Sequence, residues 1–282
     1  MSPPPGGVRD ATPRIVIDAA RGRPPIDFGE LWRYRDLLYF LTWRDVAVRY
    51  KQTALGALWA VIQPFTSMVV FTLFLGTLAR VPSDGIPYPV FSYLGLLPWT
   101  YFAAAVTRAG ASLVGHAPLL TRVYFPRALV PLAQTLAALV DFAIAGLVLG
   151  VLMAWYALGL APSALLVIPL TLVVAATAAG IGMGLSALNA RYRDVQHALP
   201  FLMQLWMFAT PVVYPASLVP ERWRPLLAVN PLAGLIEAFR AAVLGRPLDW
   251  PSLGVSVATA AALAALGVWQ FHRVERDVAD TV

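Results

Sequence analysis

Lysine occurs once in the chain, as Lys51 between Tyr50 and Gln52. A phosphate-gripping loop needs Gly-Lys-Ser/Thr, because the lysine reaches the β- and γ-phosphates while backbone N–H groups cradle them. That triplet is absent, so the chain has no means of hydrolysing ATP by this route. Cysteine is also absent, which removes thiolate nucleophiles, disulfides and thiolate metal sites. His116, His197 and His272 are scattered without HExxH or any other ligand spacing, so each reads as a polar residue rather than a metal ligand. Neither a metal nor a cofactor is expected on this chain.

Two polar features remain. Asp141 precedes 46 residues, Phe142 to Ala187, that contain no Asp, Glu, Lys or Arg. A carboxylate in such a setting must face water or have a partner. It is either a channel-lining or coupling group, or a packing residue bonded to a neighbouring polar side chain. The second feature is the island LNARYRDVQHALP at 188–200, which holds Arg191, Arg193 and Asp194 between two uncharged stretches.

The elements that position these residues follow from composition. The chain is 59% hydrophobic and only 13% charged, about half the charge of a soluble domain. Lipid must therefore be the solvent for much of its surface. Its formal net charge of +6 is read as cytoplasmic retention of cations, not as a nucleic-acid footprint. A crossing needs about 20 apolar residues. That rule predicts six spans: 53–79, with a kink at Pro64; 91–107; 128–156; 164–188; 196 to about 210; and 252–271. Residues 81–90 (VPSDGIPYPV) form a turn-rich loop. The segment 216–249 is too short in its apolar part, and too charged after Glu237, to be a span. It is expected to be two short helices, separated near Asn230-Pro231, that dip into the outer face and return. A seventh span at 225–245 is the competing reading.

Six spans place both termini on one side. Sixteen arginines and lysines then fall there and five on the other, so the sixteen face the cytoplasm. That group includes Arg108, Arg122 and Arg127, assigned to the loop between spans two and three. Residues 1–27 lack the apolar run of a signal peptide and read as a flexible cytoplasmic tail. Residues 28–52 read as an amphipathic helix. Trp32, Tyr39, Trp43 and Tyr50 recur at helical spacing, with Arg33, Arg44 and Lys51 on another face. Aromatic and basic stripes side by side suit a helix lying in the headgroup layer; the plainer alternative is a solvated amphipathic helix. Residues 53–282 form the six-span domain. GLVLG (146–150) and GIGMG (180–184) are GxxxG pairs in successive spans, expected to serve close packing within the chain.

Six ordered stretches carry a family resemblance: LTWRDVAVRYKQTALGALWAVIQP (41–64), LPWTYF (97–102), VYFPRALVPL (123–132), LNARYRDV (188–195), TPVVYP (210–215) and NPLAGLIEAFR (230–240). From about residue 29 onward the chain resembles the membrane subunits of type-2 ABC exporters for cell-surface polysaccharides, such as O-antigen and teichoic acid exporters. The resemblance implies an all-α integral membrane fold of six transmembrane helices. It adds an N-terminal interfacial helix and re-entrant helices on the outer side between spans five and six. It implies a homodimer in the bacterial inner membrane, both termini cytoplasmic, paired with two copies of a separate ABC ATPase that binds the ATP and Mg. The cargo it implies is a polyprenyl-linked glycan, with no nucleic-acid partner.

By the same resemblance the loop around Leu119, Leu120, Thr121, Arg122 and Tyr124 is similar to the family's main coupling helix. Arg191, Tyr192, Arg193 and Asp194 would be a second ATPase contact, or would serve only to set topology. Trp99, Tyr101, Phe102, Trp206 and Phe208, together with Asp141, are candidates to line a sugar channel, because sugar CH faces stack on aromatic rings. The alternative is that these rings only pack or anchor spans. Two rival functions stay open. An integral-membrane glycan-modifying enzyme would want clustered carboxylates, whereas Asp84, Glu221, Glu237 and Asp249 are dispersed. An ion-coupled carrier would want more intramembrane carboxylates than Asp141.

Overall fold

The computed structural model describes residues 28–51, 56–120 and 125–279. The tail at 1–27 and the coupling candidates Thr121, Arg122 and Tyr124 lie outside the described residues. The described residues form helices joined by turns. α1 (Phe28–Arg33) and α2 (Arg35–Lys51) precede α3 (Leu58–Phe71), which runs on through wider π-helical turns to Leu78. Then come α4 (Tyr88–Gly115), α5 (Ala117–Leu120), α6 (Leu129–Trp155) and α7 (Val167–Arg191), the last entered by a 3-10 turn at Pro162–Leu166. α8 (Val195–Phe208), α9 (Arg224–Val229), α10 (Pro231–Leu244) and α11 (Trp250–Ala279) complete the order.

Among the described residues, five helices are long and apolar enough to cross a bilayer: α3 with its extension, α4, α6, α7 with its entry turn, and α11. The fifth expected span, 196 to about 210, differs from expectation. α8 has 14 residues, about 21 Å at 1.5 Å per residue, against about 30 Å of hydrocarbon. The chain still travels the length of the bundle. α8 begins beside the C-terminal end of α7, and the turn after it reaches the N-terminal end of α4, where Tyr88 donates to the Val213 carbonyl at 2.6 Å. An irregular stretch, 209–215, buried from Thr210 to Val213, makes up the difference.

That stretch must find partners for carbonyls that no helix serves. Pro211 and Pro215 stop the helix, because neither has an N–H to donate. Side chains substitute. Tyr214 donates to Phe208 O at 3.0 Å, and Asn230 Nδ2 to Ala209 O at 3.2 Å and to Thr210 Oγ1 at 2.9 Å. Arg240 donates through Nη1 to Pro211 O at 2.9 Å and through Nη2 to Val212 O. Glu237 accepts from Arg240 Nη1 at 2.9 Å, and the guanidinium lies over the Phe91 ring, 4.0 Å from its centroid. Arg240 is only 3% exposed. Gly95 makes this possible, since a Cβ there would strike Val212 O and Arg240 Nη2.

The segment 216–249 breaks where the sequence predicts. α9 and α10 meet at 95° across Asn230. Asn230 caps α10, its Oδ1 accepting from Leu232 N at 3.1 Å, and Pro231 occupies the first helical turn, where no N–H is needed. Gly245, with φ of +68°, closes the helix in the left-handed region. α10 is buried along most of its length against α4, α7 and α11. Asn230→Ala removes both the cap and the bonds to 209–210. It is expected to lower stability by about 1–2 kcal/mol, read as a drop in the thermal unfolding midpoint, while Asn230→Asp restores only the cap.

α4 is the most buried span and α7 packs extensively on both α4 and α11. The two GxxxG pairs differ. Gly180 and Gly184 face Ala264 and Gly267 of α11, so GIGMG is a close helix contact within the chain. A Cβ on Gly146 or Gly150 would meet open space.

Candidate functional site

α2 lies along the first half of α6 and runs the same way. Leu41 packs with Leu129, Val130 and Ala133; Asp45 meets Gln134; Arg49 and Tyr50 meet Asp141. The predicted aromatic stripe therefore divides. Trp32, Tyr39 and Trp43 are exposed, Trp43 at 60%, with Arg33 and Lys51 exposed nearby. Val46 is buried, and Tyr50 turns inward. A face that is apolar and uncovered beside exposed cations is the pattern expected of a helix at a lipid boundary.

The inner face of α2 carries two polar clusters. In the first, Gln134 Nε2 donates to Asp45 Oδ2 at 2.5 Å and Arg44 donates to Oδ1 at 2.8 and 3.0 Å. His116 closes the corner after α4. Its Nδ1 donates to Ser112 O at 2.9 Å, and its Nε2 stands 3.8 Å from Asp45 Oδ1. The Asp45 carboxylate raises the His116 imidazole above its ordinary value, against the opposing effect of burial. Burial works to raise Asp45, but the interactions with His116 and Arg44 outweigh it and hold the carboxyl below its usual range. A raised imidazole adds stability that is fully present below about pH 6.5 and is lost as pH rises through the folded-state value. The unfolding midpoint is accordingly expected to fall as pH is taken from 6 to 8.5, and His116→Gln to flatten that part of the profile.

In the second cluster Asp141 has the partners that its burial requires. Arg49 Nη1 and Arg108 Nη1 both donate to Oδ2, at 2.5 and 2.7 Å, and the Tyr50 hydroxyl donates to Oδ1. Burial first, and then the bond to Asp141, push the Tyr50 phenol up to about 12, so it stays protonated and donates. Arg108 is not in a loop as expected. α4 continues to Gly115, eight residues past the expected end, because a turn of helix that carries one paired arginine is still stable.

This cluster forms one wall of a cavity of about 500 Å³ bounded by α2, α3, α4, α6 and α8. Trp99 and Tyr101 also line it, as do Trp59 and Gln63 of α3 and Met203 of α8. Two of the aromatic channel candidates thus stand with Asp141 at one cavity. Phe102 does not: it is fully buried, its ring 5.3 Å from Trp206 and 5.9 Å from Trp99. Trp206 is partly buried and its Nε1 donates to Asn230 Oδ1 at 3.3 Å, while Phe208 lies on an exposed face.

Of the coupling candidates, Leu119 and Leu120 sit in α5 and pack partly against Leu41, Phe125 and Leu129. Arg191, Tyr192, Arg193 and Asp194 are all exposed at the turn between α7 and α8, with the Arg191 guanidinium 5.5 Å from the Tyr192 ring centre. Asn189 just before them is buried, and its Oδ1 accepts from Gln196 N at 3.2 Å. α5 and this turn share the end of the bundle that also holds α2. The pairing of Arg49 and Arg108 with Asp141, the bonds of Asn230 to 209–210 and the Arg240 brace escaped the sequence reading. The legible signal was opposite charges in neighbouring apolar segments, Arg108 with Asp141, which in lipid must pair.

The sequence profile of the ABC-2 type transporter family matches residues 36–244, from α2 to the end of α10. The chain belongs to that family. It is 35% identical over 222 residues to the O-antigen export system permease protein RfbA of Myxococcus xanthus, covering 75% of this chain and 82% of that one. It is 28% identical over 243 residues to the O-antigen export system permease protein RfbA of Klebsiella pneumoniae, covering 85% and 92%. The polysialic acid transport protein KpsM of Escherichia coli is 25% identical over 205 residues, covering 71% and 78%. In this ABC-2 type chain the matched region contains the arginine–aspartate cluster, the cavity, the exposed 191–194 turn and the Arg240 brace.

Proposed function

We propose that this chain is the membrane-spanning subunit of an ATP-driven exporter that moves a polyprenyl-linked polysaccharide, O-antigen-like or teichoic-acid-like, across the bacterial inner membrane. The observations that carry this reading are the family match over 36–244 and the similarity to permeases named for O-antigen export. The chain offers no Gly-Lys-Ser/Thr loop, so ATP and Mg belong to a separate ABC ATPase. Two copies of each subunit make the working complex, with this chain as a homodimer.

In this reading the end holding α2, α5 and the 191–194 turn is cytoplasmic, as are both termini. Leu119, Leu120 and the residues that follow them, with Arg191–Asp194, take the ATPase's push and pass it to α4, α6, α7 and α8 as a rigid-body motion. α8 with the stretch 209–215 is the fifth crossing. α9 and α10 enter from the outer face and fill the depth that α8 leaves open. Trp32, Tyr39 and Trp43 seat α2 in the headgroup layer. The glycan needs a polar and aromatic path, while lipid carries its apolar anchor.

Proteoliposomes holding the chain together with its ATPase should transfer polyprenyl-linked glycan to the lumen only with hydrolysable ATP, and the purified complex should contain two of each subunit. Transport driven by a pH gradient without nucleotide would reject the reading in favour of an ion-coupled carrier. Charge reversal of Arg191 and Arg193 together should cut glycan-stimulated ATPase activity by about tenfold or more and leave the fold intact, since both side chains are exposed.

A further inference from the structure

Asp141 is held as a ligand would be held. Donors from two other helices converge on one carboxylate: Arg49 and Arg108 on a single oxygen, Tyr50 on the other. Among the described residues, this part of the cavity wall carries two cations to one anion. Among the described residues that line the cavity, these three are the only charged ones. The remaining polar lining is neutral, such as Gln63, Ser67 and Thr100. Guanidinium forks match the oxygens of phosphate as well as those of carboxylate. The α3 side of the cavity decides what kind of phosphate fits. α3 presents Leu58, Phe65, Val69 and Val70 outward as an apolar face, and Trp59 both lines the cavity and is 54% exposed. A ligand there can keep an apolar tail in lipid beside α3 while its anionic head enters the cavity.

We propose that Arg49 and Arg108 form a binding site for the phosphate group of a lipid-borne ligand, and that Asp141 is the resident anion which the phosphate displaces. The exchange trades two carboxylate–guanidinium contacts for phosphate–guanidinium ones, while Asp141 keeps the Tyr50 hydroxyl and turns its freed oxygen to the water of the cavity that it lines. Because Arg49 stands on α2 and Arg108 on α4, an occupied site clamps these helices on the ligand and replaces the Asp141 bonds that tie each of them to α6. The site deepens the export reading and relies on it only for the identity of the lipid. The same chemistry fits the phosphate of a polyprenyl-linked glycan and that of an anionic bilayer lipid.

The test uses the full-length chain in nanodiscs of zwitterionic lipid, titrated in one arm with polyprenyl diphosphate and in the other with phosphatidylglycerol. Tryptophan emission is the readout, since Trp59 and Trp99 line the cavity. Arg49→Gln and Arg108→Gln are each expected to weaken binding by about tenfold or more, and Asp141→Asn to tighten it by about tenfold, by removing the competitor. Arg222→Gln, in the segment before α9, should bind as the parent does. Should a glutamine variant fail to fold, Arg108→Lys keeps the charge without the fork and should weaken binding to an intermediate degree.

Arginine-dependent binding in either arm supports the site, and the tighter arm names the ligand. Binding that stays within about twofold of the parent in both arginine variants, or that weakens in Asp141→Asn, overturns it. ATP-dependent glycan transfer by the complex alongside arginine-independent binding would sink this inference alone. Arginine-dependent binding of phosphatidylglycerol only, with no glycan transfer, would sink the export reading and leave the site standing.

Discussion

Arg240→Met is expected to destabilise the chain by about 3–5 kcal/mol, the larger part of a typical domain's margin. The side chain is buried and serves three acceptors: the carbonyls of Pro211 and Val212, and Glu237. Methionine fills most of the volume but donates nothing. It strips two buried backbone carbonyls of their donor and leaves Glu237 without its cation. Arg240→Lys should recover only part of the loss, because one ammonium cannot span two successive carbonyls and a carboxylate as the planar fork does. Gly95→Ala should mimic the defect without touching the arginine, since the added methyl would displace the guanidinium from Val212 O. Thermal unfolding in detergent measures the loss. Limited proteolysis locates it, with new cleavage expected between residues 209 and 215. A variant that melts with the parent would show that this stretch does not depend on the arginine.

Gly267→Ala should be comparably damaging, at about 3 kcal/mol or more. The new Cβ would meet the carbonyl oxygen and carbon of Gly180 and the backbone nitrogen of Ile181. These are backbone atoms that cannot rotate aside, so α7 and α11 must part along one of the most extensive helix contacts in the chain. Helices in lipid gain from close van der Waals packing rather than from expelling water, so separation removes the main attraction between them. Gly146→Ala and Gly150→Ala are the internal comparison: the same change in the other GxxxG pair meets nothing within 4 Å. Both should stay within about 1 kcal/mol of the parent and lean toward stabilising, because alanine is the better helix former. Equal losses in the two pairs would contradict the packing described for α7 and α11.

The two small-residue motifs mark where legibility in the residues ends. GIGMG and GLVLG look alike as strings, and composition gives no reason to prefer one. Only the position of α11 distinguishes them, because a small-residue face matters when another backbone comes to it.

Sequence by itself was enough for the all-helical membrane class, four of the spans to within several residues, the break at Asn230-Pro231, and the lack of a nucleotide loop. Each of those rests on local physics: apolar length against bilayer thickness, proline's missing N–H, asparagine's cap, an absent lysine motif. It also required that Asp141 face water or find a partner. The tertiary structure decided that the partners are Arg49, Tyr50 and Arg108. It also decided that α8 stops at 14 residues and that Arg240 and Asn230 serve the turn beyond it. Those outcomes depend on residues 20 to 92 positions apart meeting in space. A periodicity or a hydropathy window is blind to such pairs, since the energy that forces them, the desolvation of charges and carbonyls, acts across helices rather than along one.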